Sequence, residues 1–169
     1  MEMWQVIRDT VVAEFSDIPD ITQVTVITLR LMVAATLGGL LGYEREQKGK
    51  AAGLRTHMLV ALGAALFVLI PQQAGASVAD LSRVLQGLVA GVGFLGAGAI
   101  ITGSQKVEAK GLTTAASIWL TAAIGVAAGM GREATAVLSA LLAWSILYLI
   151  PKVEQLFEKR DSSASPEPK

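Results

Sequence analysis

Cysteine is absent from the 169 residues, and histidine occurs once, at His57. The chain therefore has no disulfide framework, thiol nucleophile, cysteine metal site or multi-histidine cage. Charge is scarce too: 17% of residues are charged, against roughly 25% in an average soluble domain. Aromatic residues make up 5%, and no series of short alternating segments suggests a membrane β-barrel. Fourteen basic and fourteen acidic residues cancel, so nothing points to nucleic acid. No P-loop, dinucleotide fingerprint or nucleophile–base pair is present, which argues against an enzyme and leaves no cofactor to expect. What is present is apolar sequence, 53% of residues with a mean hydropathy of +0.55. It lies in long stretches between short charged runs. A disordered chain, a coiled coil and a water-soluble domain are all excluded.

About 20 apolar residues carry a helix across a bilayer. Five segments qualify: Ile21–Tyr43, Leu54–Ile70 with a continuation past Pro71, Val84–Gly103, Leu112–Met130 and Ala134–Ile150. Trp144 and Tyr148 near the end of the last suit a headgroup-level anchor. The predicted fold is an all-α membrane protein with three parts: residues 1–20, a five-span domain over 21–151, and a mostly disordered tail over 152–169. Trp4, Ile7, Val11 and Phe15 share one face of the first part. They form an amphipathic helix that lies at the membrane interface or packs on the bundle; the interface is the reading adopted.

Lysine and arginine are unevenly placed. Arg45, Lys48, Lys50, Arg55, Lys106, Lys110, Lys152, Lys159, Arg160 and Lys169 fall on one side; Arg8, Arg83 and Arg132 fall on the other. The positive side faces the cytoplasm. The expected protein is therefore multi-pass, with its amino terminus outside and its carboxyl terminus cytoplasmic.

Shifting the chain against itself by 58 positions matches eleven of the 37 pairs that begin at Arg30, without a gap. Leu37-Gly38 matches Leu95-Gly96, Gln47-Lys48 matches Gln105-Lys106, and Gly53-Leu54-x-Thr56 matches Gly111-Leu112-x-Thr114. Both copies cross in the same sense, so they are parallel repeats related by an axis along the membrane normal. The expectation is two helical hairpins packed as a pseudo-twofold pair, with the fifth span added. Glycines crowd these spans: Gly38 and Gly42, Gly87 and Gly91, Gly93, Gly96 and Gly98, Gly125 and Gly129. They mark close helix packing; the alternative is carbonyl oxygens exposed along an ion path. Such faces also make a homodimer a candidate.

Arg30 is a lone cation inside the first span, functional by default unless it snorkels outward. The repeat offset puts Gln86 near its depth, so Gln86 is the first candidate partner and Thr28 the second. No Asp or Glu lies inside any span as drawn, which weighs against a relay or pump built on buried carboxylates. The run from Gly42 to His57 holds the densest chemistry. Arg55 opens a helix, where a cation is mildly disfavoured, so it should pair with Glu44 or Glu46; the bland alternative is a solvated hairpin. Arg45 and Thr56 join this group. Thr113, Thr114 and Ser117 open the fourth span and offer hydroxyls, or simply bond back to their own helix. His57 alone is no ligand set and is expected to pack at the interface. Any metal remains unspecified.

The segments RLMVAATLGGLLGYERE, GKAAGLRTHMLVALGAALF, VGFLGAGAI and GLTTAASIWLTAAIGVAAG closely resemble the MgtC/SapB family, over about residues 29–131 and in the family's order. The pattern covers Arg30, Glu44, Arg45, Gly53, Arg55, Thr56, Gly93, Gly96, Gly98, Gly111 and Thr114. The resemblance implies an inner-membrane protein linked to growth in low magnesium and, in pathogens, to survival in macrophages. It also implies a regulator that binds and restrains the F-type ATP synthase. Virulence-type members carry a C-terminal ACT-like domain, and Asn and Cys where this chain has Thr113 and Leu120. This chain is expected to be a short form. The leading expectation is thus a non-enzymatic regulator of magnesium or ion homeostasis that contacts another membrane protein. The rivals are an ion transporter or channel with a path between the repeats, and a purely structural subunit.

Overall fold

The computed structural model describes residues 2–16, 20–101 and 111–164, with side chains as far as 156. Every regular element among them is an α-helix: α1 Met3–Glu14, α2 Ile21–Gln47, α3 Leu54–Gln73, α4 Val78–Ile101, α5 Leu112–Gly129 and α6 Glu133–Ala164. The last five are long and apolar enough to cross a membrane. Local chemistry sets several boundaries. Asp20 caps α2 by accepting from the Gln23 amide at 2.8 Å, and Ser77 accepts from the Asp80 amide at 3.2 Å to open α4. α2 runs past the apolar span's end at Tyr43 to Gln47, and Glu44 and Arg45 on its last turns are buried rather than solvated. α6 passes through Pro151 to Ala164, so the tail begins as helix, not as the disordered segment the Ser/Pro/charge composition suggests. α1 makes no contact with any other helix and buries no residue, which removes packing on the bundle.

The neighbours follow the repeat. α3 and α5 pack together at the centre; α2 flanks one side and α4 the other, each touching both central helices, and α2 never touches α4. Exchanging α2 with α4 and α3 with α5 preserves this pattern. Inside each hairpin the same positions meet. A Cβ on Gly38 would stand 2.6 Å from the His57 carbonyl oxygen, and one on Gly96 would stand 3.4 Å from the Ala115 Cβ. Gly38 and Gly96 are repeat counterparts, as are His57 and Ala115. Gly42 sits on Leu54 and Gly53 in the first hairpin; Ala99 and Ile100 sit on Gly111 in the second.

Between the hairpins the match is skewed. α5 turns Gly125 and Gly129 onto the backbone of Ala61 and Ala65. The counterparts of Gly125 and the two alanines, which are Phe67, Trp119 and Ala123, are exposed instead. The expected two-fold pair thus holds for helix neighbours and within hairpins, and breaks at the central contact face. α6 is the added helix: it packs on α2 and α5 through Ala136, Ala140 and Ala143, none more than 3% exposed. In lipid, apolar burial does not drive helices together, so these alanines and glycines act by allowing close backbone approach.

Candidate functional site

The side chains of greatest chemical interest gather at the end of the bundle that bears the α2–α3 turn. Glu44 and Arg45, on the last turns of α2, are 6% and 3% exposed. Burying such groups is costly unless each finds a partner. The Arg45 Nη2 donates to the Thr114 hydroxyl on α5 at 3.2 Å, and its Nη1 lies 4.0 Å from a Glu44 carboxylate oxygen. The other Glu44 oxygen forms an ion pair with Lys48, one helical turn on. Neither carboxylate oxygen has an aligned hydrogen bond among the described residues, nor does the Arg45 Nε.

Lys48 extends the cluster to α6. Its Nζ donates to the Leu147 carbonyl at 2.6 Å. That carbonyl is available because Pro151, four residues later, has no amide hydrogen to give it. One proline in the added helix therefore creates the acceptor that a lysine of the first hairpin fills.

His57 ties α3 to α5. Its ring is fully buried. Nδ1 lies 2.9 Å from the Gly53 carbonyl, which can only accept, so Nδ1 carries a proton. Nε2 lies 3.2 Å from the Ser117 hydroxyl, itself 2.8 Å from the Thr114 carbonyl. Glu46 is exposed, and its Oε2 accepts from the Leu54 amide at 2.7 Å, capping α3 from across the turn. The expected Glu44–Arg55 pair is not formed: Glu44 faces Lys48 and Arg45, while Arg55 is exposed and has no ion-pair partner among the described residues. Glu44 is a buried carboxylate just past the end of the first span as drawn. Thr56 and Thr113 are exposed. Thr113 lines an apolar cavity of about 150 Å³ with Ser117, Leu120 and Leu147.

Arg30 occupies the opposite end and is about three-quarters buried, not snorkelling free. Its Nη1 donates to Gln72 at 3.0 Å and to the Gly129 carbonyl at 3.1 Å. Its Nε lies 3.9 Å from Glu133. Gly129 is the last residue of α5, so the guanidinium serves an orphan carbonyl at the negative end of a helix dipole. Gly131, with φ of +73°, closes the turn against this group; any Cβ there would run into the guanidinium. The expected partners Gln86 and Thr28 are exposed, and Gln86 rides on α4, which α2 does not touch. The true partners, Gln72 and Glu133, lie just beyond the ends of the apolar runs.

The glycines divide. Gly38, Gly42, Gly125 and Gly129 are pressed against neighbouring backbone, and Gly96 makes ordinary contact. A Cβ on Gly87, Gly91 or Gly93 would meet nothing within 4 Å among the described residues, so these three do not pack helices there. Gly98 is exposed on the same helix. The described residues bring no three His, Asp or Glu side chains together. The expected Lys106 and Lys110 contributions lie outside the described residues.

Five membrane-crossing helices, two of them paired hairpins and one added, with buried charge at both ends, define a multi-pass helical membrane protein. The MgtC family model matches residues 31–156. The chain belongs to the MgtC family. It is 46% identical to Protein SrpB of Synechococcus elongatus over 116 residues, covering 62% of this chain and 64% of that protein. It is 46% identical over 110 residues to the Escherichia coli protein named "Putative magnesium transporter YhiD", covering 61% and 50%. With Protein MgtC of Salmonella typhimurium it shares 37% identity over 139 residues, covering 82% and 58%. The chain thus spans about half to two-thirds of the length of these relatives. No solved structure matches.

Proposed function

We propose that this membrane protein of the magnesium-related MgtC family is a non-catalytic regulator of magnesium or ion homeostasis, acting by contact with another membrane protein such as the F-type ATP synthase. It sits in the bacterial inner membrane with its amino terminus periplasmic and its carboxyl terminus cytoplasmic, following the excess of lysine and arginine at the α2–α3 turn end. α1 lies along the periplasmic interface, its apolar face in the bilayer.

The observation that carries the choice of regulator over transporter is the contact between the repeats. Transport paths in repeat-built membrane proteins run at the repeat interface. Here that interface is backbone against backbone: a Cβ on Gly129 would come within 2.5 Å of the Ala65 carbonyl, and one on Gly125 would collide with Ala61. In the polar cluster, Arg45 and Lys48 each bond to another helix, to Thr114 and to the Leu147 carbonyl. YhiD's name favours the transporter reading. The deciding experiment is magnesium flux into liposomes holding the purified protein and an entrapped indicator, with Gly96→Leu as a control. Flux equal to that of empty liposomes supports the regulator. Magnesium-selective flux that Gly96→Leu abolishes would establish a transporter.

A further inference from the structure

α6 fills a cleft between α2 and α5. Under the exchange that relates the hairpins, α2 becomes α4 and α5 becomes α3. The counterpart of α6's seat is therefore the cleft between α4 and α3, and none of the described helices occupies it. A groove of about 380 Å³ is found there, lined by Phe67 of α3 and by Gly87, Leu88, Gly91, Val92 and Leu95 of α4.

Residue by residue, the two seats differ in cover. Val33, Ala34 and Leu37 of α2 join the core that holds the three alanines of α6. Their counterparts are Gly91, Val92 and Leu95, all lining the groove, and Leu95 is 51% exposed. On the α3 side the groove is lined by Phe67, which is 60% exposed. Gly87 and Gly91 have no contact in the chain that requires their small size. In α2, by contrast, Gly38 and Gly42 lie against backbone.

We infer that the α3–α4 groove receives one transmembrane helix of a partner membrane protein, seated as α6 is seated on α2 and α5. This rests on the contact-regulator reading and gives that contact a place. The chemistry of the incoming helix follows from its counterpart. It is apolar throughout and carries small residues at positions i, i+4 and i+7, as α6 does with Ala136, Ala140 and Ala143. Gly87 and Gly91 then let the two backbones approach, the geometry by which helices associate in lipid. Charge plays no part, since the groove has no ionisable lining residue.

The chain's lack of cysteine makes the test direct. The probe is a synthetic peptide of residues 133–156, the membrane-spanning part of α6, with Ala140→Cys, mixed with full-length protein in liposomes. With copper phenanthroline and oxygen as the oxidant, full-length Leu95→Cys is expected to form a disulfide with the peptide, and Met32→Cys, on the exposed face of α2, is not. Adding Gly91→Leu to Leu95→Cys should abolish the cross-link without altering the fold, because its side chain enters only the groove. Equal cross-linking of Leu95→Cys and Met32→Cys, or none, overturns the inference. Cross-linking of Leu37→Cys instead means that the peptide has displaced α6 from its own seat, and overturns it as well. A disulfide between two full-length Leu95→Cys chains that persists against the peptide would assign the groove to a second copy and refute the single-helix partner. Failure here leaves the flux result untouched, and magnesium flux would defeat the regulator reading without erasing a cross-link.

Discussion

The first hairpin, α2–α3, and the second, α4–α5, share a sequence pattern and an internal packing, yet they carry different things. The first holds the buried polar groups: Arg30, Glu44 and Arg45, with Lys48 beside them and the His57 imidazole. Of the matching positions in the second, Leu88, Thr102, Gly103, Lys106 and Ala115, only Lys106 is ionisable. α6 lies on α2 of the first hairpin and α5 of the second, and α4 buries only Val92 and Gly96. Thr114, whose counterpart Thr56 is exposed, and Ser117, whose counterpart is Leu59, point back to serve Arg45 and His57 of the first. A duplicated hairpin thus keeps the contacts that make it a hairpin and is free to change the rest. One copy has become the polar, anchored half, and the other an apolar half with an open side.

The largest expected effect sets one glycine against another. Gly125→Leu must push α5 off the Ala61 backbone, at a cost of about 3 kcal/mol or more in folding stability, as severe overpacking does. Gly91→Leu enters open space and should leave the unfolding midpoint in mixed micelles unchanged. Similar losses for the two would erase the distinction between a used and an unused glycine.

Next comes Arg30 against its counterpart Leu88. Arg30→Ala strips Gln72, Glu133 and the Gly129 carbonyl of a shared donor. A loss of about 2 kcal/mol is expected, in the range for buried charged hydrogen bonds. Arg30→Lys should recover part of it, because an ammonium group lacks the planar fork that reaches several acceptors. Leu88→Ala lies beside the groove and should cost less. The same unfolding assay ranks all three.

A smaller effect separates Lys48 from a simple surface lysine. Lys48→Met leaves the Leu147 carbonyl without its donor and should cost about 1 kcal/mol. Pro151→Ala restores an amide to that carbonyl. In the Pro151→Ala background, Lys48→Met is expected to cost measurably less than it does alone. Additive costs in the double-mutant cycle would show that Lys48 does not serve that carbonyl.

The smallest effect concerns Arg55. Because it is exposed and does not face Glu44, Arg55→Glu should leave stability unchanged. Reversing both Glu44 and Arg55 should do no better than reversing Glu44 alone. Mutual rescue of membrane insertion or low-magnesium growth by the double reversal would restore the pairing expected from the turn.

Hydropathy and the repeat made the five spans and the hairpin pairs legible, since both properties are written along the chain. Arg30 was legible as a site but not its partners. Gln86 follows from depth alone, whereas contact depends on which helices touch, and Gln72 and Glu133 meet Arg30 across turns that depth does not describe. Glu44 and Arg45 were legible as the close of α2 but not as buried groups, because charged residues at a turn read as solvent-seeking. Their burial depends on Thr114 and on the approach of α5, neither of which is local to them. Glycine spacing identified where backbones are able to meet. It could not tell Gly125, which is pressed on Ala61, from Gly91, which meets nothing, because that depends on the partner face. The proline signal at Pro151 was available: it orphans Leu147, and a lysine was the natural donor to seek.

The difference between the hairpins can be measured with one pair of cysteines on their outer helices. Leu37 of α2 packs on the core that includes α6, and its counterpart Leu95 of α4 is 51% exposed. Purified Leu37→Cys and Leu95→Cys proteins in nanodiscs, treated with a membrane-permeant maleimide, should label very differently: Leu95→Cys in the folded protein, Leu37→Cys only after unfolding. Equal labelling of the two folded proteins would contradict a covered α2 and an open α4.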